Sequence, residues 1–309
     1  AGGGLDLASF ASLKVGNWLD APADIRGTGK AGITVALNGG TLDLRNRPSG
    51  DGGGGGGTGG NVPIKVNLDR LVVSSGIAIT GFSGNFLQRA GGLDGTFVGA
   101  VNGAGRIEGA TVPVKGGTAI RIRSGNAGGV LAAAGIFDKG RGGSMDLTLQ
   151  PRGAEGNYIG IGTFKNLSVQ GAPALAELLS AVSVVGLLEQ LNGNGILFGE
   201  GDVEFTLQPE GVQVRRGAAV GASMGISFAG LYRSGSGQLD IQGTISPLYI
   251  LNGIGQIFTR KGEGLFGFNY RITGTSDNPQ VSVNPLSILT PGMFREIFRQ
   301  PPPVLKQGG

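Results

Sequence analysis

The chain contains no histidine and no cysteine among its 309 residues. Without imidazole or thiol it has no histidine general base, no Ser-His or Cys-His nucleophile pair and no zinc site of the usual nitrogen and sulfur kind. Most hydrolase and metalloenzyme chemistries are thereby removed. Carboxylate pairs, a lysine base or an oxygen-ligated Ca²⁺ or Mg²⁺ stay open, but no run has the acidic spacing of a calcium loop. The lack of cysteine fits any redox compartment. Charge is also scarce, at 15% of residues with a net +4. A nucleic-acid groove needs a basic stripe interleaved with aromatics, and no such stripe exists, so nucleic acid is not an expected partner. Lys115, Arg121 and Arg123, like Arg215 and Arg216, sit among glycines and aliphatics and read as solvated sheet faces. Long apolar runs are missing as well. The nearest, 175–191, is broken by Glu177, Ser180, Ser183, Gly186 and Glu189, so nothing here is expected to span a bilayer. No signal peptide opens the sequence, which starts Ala1-Gly-Gly-Gly. Any membrane contact is expected at a surface or through a segment outside this chain.

Glycine is abundant instead, at 64 residues with 14 prolines, and without the three-residue period of collagen. Between the glycines runs a period-two alternation that marks strands with one apolar and one polar face. Ile33, Val35 and Leu37 begin it; Val62, Ile64, Val66 and Leu68 continue. Ile120 with Ile122, and Leu147 with Leu149, come next. Val203, Phe205 and Leu207 are joined across Gln208-Pro-Glu-Gly211 to Val212 and Val214, which is the clearest hairpin. Leu239, Ile241 and Ile245, then Phe268, Tyr270 and Ile272, then Val281 and Val283 complete the series. Such regular spacing predicts consecutive antiparallel strands, a meander. Gly81, Gly84, Gly99, Gly103, Gly105 and Gly109 fall in or beside strands, where glycine marks bulges, bends or close approach. The fold class expected is mainly β: a long curled antiparallel sheet, an open groove or a partly closed barrel, over 1–309 as one continuous domain.

Three stretches depart from alternation. Pro173, the helically spaced Leu175, Leu178, Leu179, Val182, Val185 and Leu188, and the stop at Gln190-Leu-Asn-Gly193 predict one longer helix over 173–191, laid on the sheet. A second apolar stretch, 245–258, has helical spacing in Leu248, Leu251 and Ile254 but is interrupted by Pro247 and two glycines. Thr290 as N-cap and Pro291 in the first turn predict a short C-terminal amphipathic helix over 290–299, stopped by the prolines from 301. Its apolar face is Met293, Phe294, Ile297 and Phe298, too short to stand alone in water, so it must dock on the sheet end, a membrane surface or an outer-membrane protein. The stretch 46–61 is almost pure glycine and polar residues and is expected to be a flexible loop. It has no Gly-Lys-Ser/Thr, so it is no phosphate loop.

One resemblance rests on particular residues. Gly274-Thr-Ser-Asp-Asn-Pro-Gln-Val-Ser-Val-Asn-Pro-Leu-Ser-Ile-Leu-Thr-Pro-Gly-Met-Phe294 carries it most specifically. Segments 183–198 and 245–258, together with Gly262-Glu-Gly-Leu-Phe-Gly-Phe-Asn-Tyr270, support it. Trp18-Leu-Asp-Ala-Pro-Ala-Asp-Ile25 and Gly40-Thr-Leu-Asp-Leu-Arg45 look like upstream strands of the same region. Together they resemble the carboxy-terminal region of the AsmA-like proteins of Gram-negative bacteria, part of the bridge-like lipid transfer superfamily. The resemblance implies a long curled sheet with a hydrophobic groove, located in the periplasm and tethered to the inner membrane by an N-terminal segment absent from this chain. It implies phospholipid as the partner, moved toward the outer membrane in outer-membrane biogenesis.

The physical demand of that role is simple. Two bare acyl chains in water cost on the order of 20 kcal/mol, at about 0.8 kcal/mol per CH₂, so a carrier must offer a continuous apolar surface and needs no catalytic residue or cofactor. The groove candidates are Val203, Phe205, Leu207, Val212, Val214, Leu239, Ile241, Phe268, Tyr270 and Ile272. Alternation alone favours a filled sandwich or barrel core, and it is the resemblance that shifts the expectation to an open groove. The alternative function is therefore an envelope assembly scaffold that binds outer-membrane proteins through sheet edges. An enzyme is not expected, since Asp43 with Arg45, and Glu263 with Arg260 and Lys261, are explained as strand and turn charges.

Overall fold

The structure is a computed structural model and describes residues 6–28, 32–48, 61–89, 91–154, 156–234, 236–247, 267–275, 278–284 and 286–287. It is mainly β: a long, mostly antiparallel sheet of 18 strands with three short α-helices among the described residues, and it is not a closed barrel. The meander expected from the spacing of alternating runs is its main motif. The chain divides into two compact units, residues 1–138 with 148–155, and residues 139–147 with 156–309.

The first unit begins with β1 (Leu7–Val15), β2 (Leu19–Gly27), β3 (Ile33–Asn38) and β4 (Thr41–Asp43). Then come β5 (Val62–Val72), β6 (Ala78–Arg89), β7 (Gly92–Val101), β8 (Gly105–Val114) and β9 (Gly117–Ser124). From β5 to β9 each strand pairs antiparallel with the next. The departure is that β3 and β4 pair with β5 in parallel, as in Val35 opposite Ile64. Parallel neighbours need a connection of roughly a dozen residues or more, and the stretch between β4 and Val62 supplies that length. Asp43 ends β4 and caps a one-turn 3₁₀ helix, Leu44–Asn46: its carboxylate accepts from the Arg45 amide at 3.0 Å, from Arg45 Nη2 at 2.6 Å and from Asn46 Nδ2 at 3.0 Å. The rest of the glycine-rich stretch, 49–60, lies outside the described residues.

The interior glycines sort into the expected uses. Gly81, at φ 56, sits where the β6–β7 register slips between Thr80 and Ser83, a bulge. Gly103, at φ 81, makes the turn between β7 and β8. Gly105 lets helix α1 (Ala127–Ala133) approach β8 so closely that a Cβ would lie 2.8 Å from Val130 Cα. This helix was not legible from periodicity, because Gly128 and Gly129 are poor helix formers. Two local devices hold it. Asn126 caps it by accepting from Gly129 N at 3.0 Å, and Asn102 ties its end by donating to the Ala133 carbonyl at 2.7 Å.

The second unit contains β10 (Gly140–Arg141) and the start of β11 (Ser144–Pro151), whose residues after Leu147 belong to the first unit. A consecutive antiparallel run follows: β12 (Tyr158–Val169), β13 (Ile196–Gln208), β14 (Gly211–Gly221), β15 (Met224–Arg233), β16 (Gln238–Pro247), β17 (Phe268–Thr275) and β18 (Pro279–Asn284). The hairpin at Gln208-Pro-Glu-Gly211 falls in the expected register, Leu207 opposite Val212. Of the stretch 245–258, residues 245–247 end β16 and the remainder lies outside the described residues.

The single helix expected over 173–191 is instead two, α2 (Pro173–Ala181) and α3 (Val185–Asn192). Ser183 adopts φ 57 between them, and the Val182-Ser-Val-Val run of β-branched and hydroxyl residues favours leaving the helix. The break lets each helix turn its own leucines inward: Leu178, Leu179, Leu187 and Leu191 are buried, while Val185, expected on the apolar side, is 64% exposed. α2 packs on β18, α3 on β13, and the two on each other. The helix expected over 290–299 lies outside the described residues.

Candidate functional site

Residues directly opposite in an antiparallel pair point to the same side of the sheet. Applied strand by strand through the second unit, this places every groove candidate, Val203, Phe205, Leu207, Val212, Val214, Leu239, Ile241, Phe268, Tyr270 and Ile272, on one face. One row reads Tyr158, Leu207, Val212, Tyr232, Leu239, Gly274 and Pro279 from β12 to β18. The next reads Gly160, Phe205, Val214, Gly230, Ile241, Ile272 and Val281, and the third Gly162, Val203, Gly217, Phe228, Gly243, Tyr270 and Val283. Phe268 belongs to a fourth, opposite Ile245, which is opposite Ile226. No charged or amide side chain interrupts these rows.

Burial grades along the face. At one end, where α3 packs on β13, Leu167, Val169, Ile196 and Phe198 are buried, Ile196 fully. Beyond the helices the candidates are half-buried, apart from the buried Tyr270. The change of level follows a paired irregularity. Asn166, at φ 56, and Gly199 both drop out of the β12–β13 and β13–β14 registers, so that Ile196 and Phe198 face the same way as Gly201 and Val203. Leu197 then points to the other side and is 52% exposed.

The opposite face is mostly polar, although Leu231 is buried on it and Ile161 is exposed, and several of its charges are paired. A bulge in β14 sets Arg215 and Arg216 against one partner residue, and both guanidinium groups reach Glu204, Arg215 Nη2 at 2.6 Å from Oε2. The hydrogen bond from Arg215 lowers the Glu204 carboxyl below its usual range, outweighing partial burial, and Arg216 adds to the lowering. Arg271 pairs bidentately with Asp240, at 2.9 Å through each nitrogen. Arg215 and Arg216 thus lie on a solvated sheet face, as their setting in the sequence suggested.

Alternation missed the aromatic residues Phe164 and Phe228, and missed what the glycines do. A Cβ on Gly160 would lie 2.2 Å from Phe205 Cζ, and one on Gly201 would lie 2.0 Å from Phe164 Cζ. Gly217 stands in the same way under Phe228, at 2.2 Å from Cε2. The rings therefore lie down across the neighbouring strand, over a glycine that is their register partner. Tyr270 lies across Gly243 so far that its hydroxyl donates to the Ser227 carbonyl, two strands away, at 2.9 Å. The first unit repeats the device: Phe97 covers Gly109, whose Cβ would fall 2.2 Å from Cζ, and packs against Phe82 at 5.4 Å between ring centroids. On that unit's apolar face Thr111 Oγ1 is buried without a hydrogen-bond partner among the described residues. The signal for this pairing exists in the sequence only once strands are registered, because ring and glycine are separated along the chain by a hairpin or more.

Met293, Phe294, Ile297 and Phe298 lie outside the described residues. Among the described residues no helix is long and apolar enough to cross a membrane, and no cluster of acidic side chains could hold a metal ion. In comparison with known proteins, no family, no curated protein and no solved structure matches this chain.

Proposed function

We propose that the apolar face of β12 to β18 is the inner surface of a curled, open groove that carries phospholipid by its acyl chains. On this reading the chain is the distal part of an AsmA-like periplasmic bridge between inner and outer membranes. An N-terminal segment tethers it to the inner membrane, and Met293, Phe294, Ile297 and Phe298 meet a membrane surface or an outer-membrane protein. The observation that carries the reading is the set of unbroken apolar rows, which cross seven consecutive strands and whose larger side chains, apart from Tyr270, stay half-buried. A filled core would bury them as completely as the helices bury Ile196. Closely spaced CH₂ groups need such a surface and nothing chemically reactive.

The test is mass spectrometry of organic extracts from the purified chain, with the double variant Phe205→Asp, Ile241→Asp as comparison. The two positions lie on one row, joined through Val214 and Gly230. The variant is expected to keep a β-type circular dichroism spectrum and lose co-purifying phospholipid. Equal lipid in both proteins, or none in the parent chain, would sink the proposal.

A further inference from the structure

We infer that Gly160, Gly201 and Gly217 are specificity-determining residues: by letting Phe205, Phe164 and Phe228 lie flat, they keep an acyl-chain lane clear across the strands. This deepens the lipid-carrying reading and rests on it. Glycine inside a strand weakens it and is retained for a backbone conformation or for close approach. Backbone conformation is not the reason here, since none of the three has positive φ. A ring is the reason. Carbon atoms do not approach within 3.0 Å, and each of these glycines has a ring carbon 2.0 to 2.2 Å from where its Cβ would stand. Any larger residue must lift the ring off the sheet, into the space above the face.

The lane has a direction and a length. The row through Gly217, Phe228, Gly243 and Tyr270 runs perpendicular to the strands, from β12 to β18. With a strand spacing of about 4.8 Å the row extends roughly 29 Å. One lipid tail occupies about half of a ~30 Å hydrocarbon core, so it covers about three strand spacings of this row. Along that path it meets Val203 and then Phe228, short of the buried Tyr270. Both rings are held down, Tyr270 by its hydrogen bond to the Ser227 carbonyl. A flat ring takes only its van der Waals thickness, about 3.5 Å, and presents its face to a sliding chain. An upright ring would stand across the path as a post. The ligand class that fits is an unbranched acyl chain lying across the strands.

The experiment measures extraction of pyrene-labelled phosphatidylglycerol from vesicles of phosphatidylethanolamine and phosphatidylglycerol by the full chain, by Gly217→Ala, and by Gly217→Ala with Phe228→Leu. Each methylene displaced from an apolar surface weakens binding about fourfold, so a raised ring that displaces two costs about fifteenfold. The expected result is that loss in the single variant, with recovery to within a few-fold when the ring is also removed. Equal extraction by the parent and Gly217→Ala overturns the role given to glycine and leaves the lipid reading standing. A loss that the second substitution does not restore overturns it too. No extraction by the parent chain overturns both. If Gly217→Ala does not fold, Gly160→Ala with and without Phe205→Leu decides by the same criteria.

Discussion

Ile196 and Leu197 are adjacent, similar in size and alike in sequence context, yet the fold gives them opposite fates. Ile196 is fully buried on the strand that α3 packs against and Leu197 is 52% exposed on the other face. Truncating Ile196 to alanine removes three buried carbons, about 2.4 kcal/mol at ~0.8 kcal/mol each. The cavity left behind raises the loss to about 3.5 kcal/mol, inside the range for buried isoleucine. The same truncation at Leu197 forfeits only the covered half, about 1 kcal/mol, with no cavity to leave. For a unit of this size that is a fall in Tm of about 10 °C against about 3 °C. Thermal unfolding followed by tyrosine absorbance reads the correct unit, because Tyr158, Tyr232 and Tyr270 lie in the second and Trp18 in the first. The pair tests the irregularity at Asn166 and Gly199 directly. Remove that slip and the parity of the strand reverses, with Leu197 inward and Ile196 outward. Equal losses, or a larger loss at Leu197, would refute the register and with it the claim that the helices cover one end of the apolar face.

Two further outcomes are expected in the first unit. Thr111→Val removes a buried hydroxyl that has no partner among the described residues, so it should raise stability by about 1 kcal/mol, read by urea denaturation monitored at Trp18; a loss of that size would mean the hydroxyl is satisfied in solution. Hydrogen bonding from Arg45 lowers the Asp43 carboxyl below its usual value against a smaller effect of burial. A depressed folded-state pKa means that this stabilisation is fully present above the ordinary aspartate pKa and is lost as pH falls through the folded one. NMR titration should place the Asp43 midpoint below that of an ordinary aspartate, and Arg45→Ala should move it up; an unmoved midpoint contradicts the assignment.

Alternation was enough to name residues that share a face, because within one strand parity is a local property. The candidates from Val203 to Ile272 came out on one side for that reason. What alternation could not carry is whatever depends on the neighbour. The parallel pairing of β3 with β5 depends on where a distant strand docks, and the slip at Asn166 and Gly199 on two strands adjusting together. The break at Ser183 depends on leucines finding separate places on the sheet, which overrode helical spacing that was otherwise continuous. The rings over glycines were invisible for the same reason. Phe228 and Gly217 look unrelated until the β14–β15 register, with its bulge at Arg215 and Arg216, brings them together.

Among the described residues, the strands from β13 to β17 each bond only to the strand before and the strand after in the chain. Such connectivity behaves almost one-dimensionally, as in repeat proteins. Duplication or deletion of one hairpin within it would alter the run by two strand spacings, about 10 Å, while every remaining partner keeps its register. Evolution can therefore adjust the length of this sheet by whole hairpins, much as a chain is lengthened by links, without redesigning the surface that the remaining strands present.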